Sequence, residues 1–576
     1  MYRHQSIHRS ALAVSAFLIA GLAGCSDSSS PVVTPSVSTP RVLTGNFVGL
    51  APEGLTYATA TQQGITGPGG SFQYEAGETV TFQLGATALG SAPAASQIDV
   101  FDLVGIPTAP LSESAILEAA RTLDNTGGFY AAGRIAQVLL TLDSDGDVSN
   151  GVQINAEIQA RAETIDLRVL GVRTEYLFED LKRMIRAAAN ASEVPARVIP
   201  TESEALQTAY DTLGISARLL SPGRVVYDYD ADGVADEIEA YVFDNSGLLV
   251  ESAFDSDADG TLESRRVTEY FTPARPSLVE QDINGDGTPD RVTAYTYDAF
   301  GELIREEIDF DGQPGLEQIV DVRYDQAGAL IFRERQILTA GTSVIQQFST
   351  DNAGNRVEYL LDNEGDGVFD RRDTFIYNEF RDWTTRSIDG NNDGVVDTLL
   401  ERAFDSRGLQ TLATTDNDAD GVIDRRTEFV YDMNNRLIRA VYDNDDDPDI
   451  EFFIEYTYDS NGLEIQRVTD RTGQNSTVVT TQTTYDSNGL RVRVETDTDG
   501  DGQANSITLF DHDANGAPTS ERLDREGDGI VDQIKEFSVS AEGVITEERI
   551  DIDADGVADA INQFLDLTAV HFAWWD

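Results

Sequence analysis

Short acidic segments of the form D-x-D-x-D-G-x-x-D recur along this chain with a period of 27 residues, and that period constrains the fold more than any other feature. They begin at Asp228, Asp255, Asp282, Asp309, Asp362, Asp389, Asp416, Asp443, Asp497, Asp524 and Asp551, and the spacing passes through degenerate members at Gln336 and Asp470. Thirteen units fit, with one residue deleted after Gln336. A fixed period of this length belongs to repeat architectures, in which one unit cannot bury its own apolar face and stacked neighbours bury it together.

A second motif runs half a period out of phase: Tyr297-Asp298-x-x-Gly301, Tyr324-Asp325-x-x-Gly328, Phe404-Asp405-x-x-Gly408, Tyr458-Asp459-x-x-Gly462 and Tyr485-Asp486-x-x-Gly489. Asp bonds its own backbone and Gly supplies positive φ, so these are turns. One unit therefore reads as an acidic loop over 416–424, a strand over 425–431, a turn over 432–435 and a return strand over 436–442. The strands alternate as a half-buried sheet does, with Leu490, Val492 and Val494 on one side and Arg491, Arg493 and Glu495 on the other. Aromatic pairs such as Tyr295/Tyr297, Phe375/Tyr377, Phe429/Tyr431 and Tyr456/Tyr458 share one face. Two short connections per unit predict a mainly β fold, a continuous antiparallel hairpin array of about 26 strands with acidic loops on one edge and Tyr-Asp turns on the other. Twist and a single apolar face coil such a sheet into a superhelix, tube or shell.

From Tyr227 to about Phe564 the Tyr-Asp turns resemble the YD repeats of Rhs-type proteins, and the resemblance implies a spiralling β-shell. The acidic loop in almost every unit departs from that pattern. A β-propeller is the alternative, but its four-stranded blades require one loop every two units, whereas Asp362, Asp389 and Asp416 open strong loops in successive units.

The acidic loops carry the chemistry. Carboxylates at positions one, three and five converge where a glycine at position six permits a sharp turn, and a ninth-position side chain joins them, a hard oxygen set suited to calcium. Nine loops have the pattern in strength. The first three place Asp228, Asp230, Asp232 and Asp236; Asp255, Asp257, Asp259 and Glu263; and Asp282, Asn284, Asp286 and Asp290. The middle three place Asp362, Glu364, Asp366 and Asp370; Asp389, Asn391, Asp393 and Asp397; and Asp416, Asp418, Asp420 and Asp424. The last three place Asp497, Asp499, Asp501 and Asn505; Asp524, Glu526, Asp528 and Asp532; and Asp551, Asp553, Asp555 and Asp559. The loops at Asp309 and Asp443 have proline at position six, which leaves their occupancy open.

An EF-hand also needs a glutamate at position twelve. Glu239 stands there in the first loop, but Arg266, Thr293, Leu400, Thr427, Thr508, Lys535 and Asn562 stand there in others. The loops are more similar to the nine-residue calcium loops of thrombospondin type 3 repeats and integrin-type FG-GAP blades, a likeness that covers the loops only and implies bound Ca²⁺. Stacking sets successive loops ~10 Å apart along one edge. Two unit charges at that distance in water repel by about 0.4 kcal/mol, and loop charges near −4 multiply this about 16-fold. One calcium per loop would cut the repulsion about fourfold.

The N-terminus reads as a targeting segment. Arg3 and Arg9 precede an apolar stretch from Ala11 to Ala20 and then Gly21-Leu22-Ala23-Gly24-Cys25, too short to span a bilayer. This ending resembles the lipobox of bacterial lipoproteins, which implies a signal peptide over 1–24, a diacylated Cys25 as anchor and, with Ser26 rather than Asp after it, an outer-membrane destination. Ser26 to Pro40 reads as a disordered tether over 25–40. Cys25 is the only cysteine, so no internal disulfide can form, and once the signal leaves only His512 and His571 remain for imidazole chemistry. The formal net charge of −60 opposes nucleic acid and anionic headgroups and favours cations.

Ahead of the repeats, 41–110 shows short glycine-punctuated strands such as Phe72-Gln73-Tyr74 and Thr79-Val80-Thr81-Phe82, a small β-sandwich pattern. Residues 111–220 read as a helical module or linker, notably Glu175 to Asn190 with Leu177, Leu181, Met184 and Ile185 on one side. Together with Ile135 to Asp147 this region resembles an N-terminal module of other bacterial surface lipoproteins. The repeats fill 221–565, and 566–576, with Phe572, Trp574 and Trp575, reads as a cap.

These features together predict a calcium-binding, lipid-anchored envelope protein with a structural or interaction role, possessing a protein or glycan partner and no nucleic acid. A polysaccharide hydrolase using paired carboxylates is the rival. Repetition argues against it, because a catalytic pair is a singular constellation in a pocket. A calcium buffer or matrix component is the third reading.

Overall fold

The computed structural model describes residues 41–106, 128–163, 177–215, 219–445, 450–471 and 477–572. The signal peptide, Cys25 and the tether lie outside the described residues, as do Trp574 and Trp575.

The 26 strands from Arg224–Asp228 to Ala560–Leu565 form one antiparallel sheet that closes on itself. Sequence-adjacent strands pair throughout, and the ring shuts where Phe564 pairs with Val225 and Asn562 with Tyr227. Closure removes both edges of a sheet that would otherwise offer unpaired backbone groups. The architecture is therefore a closed shell of hairpins rather than a propeller. The unit read from the sequence appears almost residue for residue, with strands Arg425–Tyr431 and Leu437–Asp443 on either side of the turn.

One face of the sheet is the more buried. Tyr295 and Tyr297 are half-buried while Thr296 between them is exposed, and Ile376 and Val430 are exposed at the same place in their units. Val279, Ile308, Val320, Val322, Phe348 and Ala440 are buried on the aromatic face. Asp373 is on this face too, fully buried between Arg371 and Arg386, whose guanidinium groups approach it to 2.8 and 2.6 Å.

The Tyr-Asp motif has a division of labour. Asp298 accepts from the backbone N–H groups of Phe300 and Glu302 at 2.8 and 3.0 Å, and Gly301 closes the turn at φ +83°. The register slips at the tyrosine, a bulge repeated between Thr296/Tyr297, Arg323/Tyr324 and Ile376/Tyr377. The tyrosine hydroxyl then donates to a carbonyl of the previous hairpin: Tyr297 to Pro276, Tyr324 to Leu303, Tyr377 to Arg356 and Tyr458 to Leu437, at 2.7–3.2 Å. Each Tyr-Asp pair thus shapes its own turn and ties it to its neighbour.

Residues ahead of the barrel form two small sheets, one ordered Ser71–Glu75, Val42–Phe47, Gln97–Ile98 and the other Gln63–Ile65, Thr56–Ala58, Thr79–Leu84, Thr87–Pro93. Helices Gly128–Leu142, Ala156–Ala162, Leu177–Asn190 and Glu202–Leu213 pack with them around one core that includes Phe47, Phe82, Phe101, Leu139, Leu181 and Tyr210. Leu177, Leu181, Met184 and Ile185 are all buried in it. Among the described residues no helix is long and apolar enough to cross a membrane.

This module seats on the Tyr-Asp rim. Along helix Leu177–Asn190, Asp180 receives Arg381 at 2.7 Å, Arg183 donates to the carbonyls of Asn352 and Ala353, Arg186 pairs with Asp298 at 2.6 Å, and Asn190 donates to the Gln326 carbonyl. One helix thus spans four successive turns. The chain's other end reaches the same module: Thr568–Val570 pairs with Leu219–Ser221, and Phe572 is buried against Tyr210 with ring centroids 4.9 Å apart.

Candidate metal sites

The acidic loops all lie at the rim opposite the Tyr-Asp turns, because every loop joins the same end of two antiparallel strands. Within each of the nine strong loops three hydrogen bonds recur. The first-position carboxylate accepts from the glycine N–H at position six, as Asp416 does from Gly421, at 2.8–2.9 Å. The fifth-position carboxylate accepts from the N–H at position seven, as Asp420 does from Val422, at 2.7–2.9 Å. The ninth-position side chain accepts from the N–H at position two, as Asp424 does from Asn417, at 2.5–2.8 Å. In the Asp416 loop Asp420 and Asp424 are thus each aimed through one oxygen and keep capacity on the other, while Asp416 accepts on both, from Asp420 at 3.2 Å and Gly421 at 2.8 Å.

That aiming brings carboxylates together. Ligand atoms of Asp228, Asp230 and Asp236 lie within 4.8 Å of one another, as do those of Asp255, Asp257 and Asp259, and of Asp416, Asp418 and Asp424. The loops at Asp309 and Asp443 reach the same convergence through Asp311 with Glu317 and Asp445 with Glu451. In the Asp309 loop proline at position six therefore leaves Asp309, Asp311 and Glu317 together; Pro448 lies outside the described residues. Glu317 and Glu451 stand at position nine, the slot Glu263 fills in its own loop, and the spacing alone shows it. At Gln336 no acidic loop forms: strands Leu330–Ile337 and Thr342–Thr350 run on to a tight connection, which accounts for the shortened unit.

Burial and backbone donors together set the charge state of these acids. The first-position aspartates are buried in eight of the nine strong loops, Asp497 being the more open. Desolvation pushes the Asp362 carboxyl up, yet the N–H groups of Gly367, Gly365, Glu364 and Asp366 together outweigh it and hold the pKa below the usual range. Asp497 is lowered by the same balance. Glu526 moves the other way, raised chiefly by the negative charge of Asp532.

Glu239 is not a twelfth-position ligand. Its carboxylate accepts from the hydroxyls of Tyr241 and Tyr227, on the aromatic face and away from the loop.

A further requirement sits at position four, where the backbone is left-handed in every strong loop. Gly285, Gly365, Gly500 and Gly527 adopt it, and so do Ala231, Ala258, Asn392, Ala419 and Ala554, at φ +52° to +75°. Here successive loops touch. A Cβ on Gly527 would meet the Ala504 carbonyl oxygen of the preceding loop at 1.8 Å, and one on Gly285 the Leu262 carbonyl at 1.7 Å. Asn392 reaches the matching carbonyl of Phe369 with its side-chain amide at 2.9 Å. The glycines at position six have open space around them and are required for φ alone. Gly527→Ala is accordingly expected to cost about 2–3 kcal/mol, the sum of a left-handed alanine and a forced separation of two loops. Gly529→Ala should cost about 1–2 kcal/mol, the backbone part only; denaturant melts of the two variants measure the difference.

No protein-family model matches the chain. No curated protein matches it either. Among solved structures, the crystal structure of TcdB2-TccC3-Cdc42 is similar at 14% identity and TM-score 0.32 over 58% of this chain and 20% of that one. TcdB2-TccC3 is similar at 13% identity and TM-score 0.31 over 59% and 20%, and the Photorhabdus luminescens Tc holotoxin pore at 14% and 0.29 over 56% and 17%. The chain thus spans about a fifth of the length of these structures.

Proposed function

We propose that this chain is a calcium-binding, lipid-anchored protein of the bacterial envelope, whose closed repeat shell is a structural scaffold that engages a protein or glycan partner. The observation that carries the calcium reading is the repetition of one aimed carboxylate cluster along a single rim. An isolated acidic turn needs no metal, but nine in register along one rim, with ligand atoms within 4.8 Å of one another in loops such as those of Asp228, Asp255 and Asp416, form an array that cations relieve. In the nine strong loops the first- and fifth-position carboxylates accept the same backbone N–H groups, as Asp416 and Asp420 do, and that repetition favours a structural ion over a catalytic pair. Weak, exposed loops of this kind suit the millimolar calcium found outside cells. Lipid attachment at Cys25 rests on the targeting segment and would hold the scaffold at the outer membrane.

Equilibrium dialysis of the purified protein against calcium tests the reading. Several equivalents should bind saturably, and the triple variant D416N/D418N/D424N should lose about one of them, because a carboxamide supplies less charge for the ion. Stoichiometry near zero in the parent protein would overturn it. Replacement of Cys25 by Ala should abolish detergent-phase partitioning of the cell-expressed protein.

A further inference from the structure

The aromatic face of the shell carries polar or charged residues in several units, and in two successive units they stand side by side. The third residue of the strand leaving each loop is Thr293, Val320, Leu400, Thr427, Ile454, Thr481 or Thr508 in seven units and polar or charged in five, as Glu239, Arg266, Asp373, Lys535 and Asn562. Asp373 is taken up by Arg371 and Arg386, and Lys535 and Asn562 by Glu548; Glu239 and Arg266 fall in successive units. Register places these on one face with what lies between and beside them: Glu239 opposite Phe254, Tyr241 opposite Ser252, Ser252 opposite Arg266, and Arg266 opposite Gln281. They line a cleft of about 320 Å³.

Much of the polarity in this cleft is unused by the fold. Glu239 is held by the hydroxyls of Tyr241 and Tyr227, so its orientation is set before any ligand arrives. The side chains of Arg266, Ser252, Ser264 and Gln281 make no hydrogen bond or ion pair with the described residues. The guanidinium offers N–H donors in a planar fork, the amide offers both donor and acceptor, and the two hydroxyls offer either. Tyr241 and Phe254 add ring surface to the wall.

We propose that this cleft is a binding site for a neutral carbohydrate, one or two sugar rings of a glycan. A sugar presents adjacent hydroxyls that pair with a guanidinium, a carboxylate and an amide, and C–H faces that pack on aromatic rings. The charges of Glu239 and Arg266 balance locally, and the chain's net charge of −60 works against an anionic ligand. The volume falls at the lower end of the range for small-ligand clefts. This deepens the scaffold reading by naming the partner's chemistry, and it stands independently of calcium and of the lipid.

Saturation-transfer NMR on the full chain, with glucose, galactose, mannose, N-acetylglucosamine, maltose, cellobiose and lactose as probes, tests it. At least one probe should bind saturably, and Arg266→Ala and Gln281→Ala should each weaken it by about tenfold or more, the loss expected when hydrogen bonds to a ligand are removed. Thr508→Ala, the same slot in a distant unit, should leave binding unchanged, with thermal melts showing each variant folded. Absence of saturable binding by every probe, or unchanged affinity in folded Arg266→Ala and Gln281→Ala, overturns the proposal. Binding should also persist in EDTA. Its loss there without loss of fold would assign the probe to a calcium loop and likewise overturn the cleft, whereas failure of calcium binding alone leaves it standing.

Discussion

Calcium at about 10 mM is expected to raise the thermal midpoint of the metal-free protein by about 20 °C, from linkage of nine weak sites to unfolding. A site with Kd near 1 mM contributes about 1.4 kcal/mol at that concentration, and nine sites together contribute about 13 kcal/mol. The shell unfolds with an entropy of about 0.7 kcal/mol per kelvin at ~2.1 cal/mol/K per residue, which converts that sum into the stated shift. Because the carboxylates of every strong loop already accept backbone N–H groups, the loops hold their shape as turns without metal. The metal-free protein should therefore keep much of its β circular dichroism at low temperature and differ mainly in where it melts. Coincident melts in EDTA and in calcium would remove the metal from the account of stability and leave the acidic rim as a solubilising surface.

Replacing Arg275 by Ala is expected to cost about 3 kcal/mol and to loosen the N-terminal module from the shell, because it strands a buried carboxylate. Arg275 and Glu204 pair at 3.2 Å with side chains only 10% and 9% exposed. The guanidinium also donates to the carbonyls of Gly301 and Ile199 at 2.9 and 2.8 Å, so it joins two turns of the rim to the chain entering helix Glu202–Leu213. Glu204 does double duty. It accepts from the Thr201 N–H as the returning half of a capping box and from the Ala274 N–H of the turn. Removing the arginine leaves that charge with neutral donors only. Arg275→Lys keeps the charge but not the planar fork and should fall between the two, at about 1–2 kcal/mol. Hydrogen exchange reads the prediction directly: amides of Glu202–Leu213 should lose protection in Arg275→Ala while those of the distant strands Arg425–Tyr431 and Leu437–Asp443 keep theirs. Equal loss in both regions would mean that module and shell unfold as one unit.

Much of the repeat was legible in the sequence because its determinants are local. Asp at the first position and Gly at the sixth close a turn with their own backbone, and alternating residues divide a strand into two faces, so the loop over 416–424 and strand Arg425–Tyr431 follow from residues that touch one another within the unit. The same locality made the carboxylate clusters readable, since positions one, three, five and nine belong to one loop. Partner-dependent placements were not legible in this way: that the hydroxyls of Tyr241 and Tyr227 hold Glu239 on the aromatic face depends on neighbouring strands.

The left-handed fourth position is an instructive intermediate case. Its conformation is local and alanine tolerates it in four loops, but the further cost of a side chain at Gly285 and Gly527 comes from a carbonyl in the preceding loop, which only the stacked sheet brings near.

The amino-acid sequence by itself determined the hairpin, its period, the acidic and Tyr-Asp edges and the aromatic face, since each depends on neighbours a few residues apart. Tertiary structure alone decided that the sheet closes, with Phe564 against Val225, that the N-terminal strands and helices share one core, and that this core takes in Phe572 and rests on the Tyr-Asp rim through Arg275 and helix Leu177–Asn190. Accumulated twist over 26 strands fixes where the two ends meet, and no single unit carries that sum.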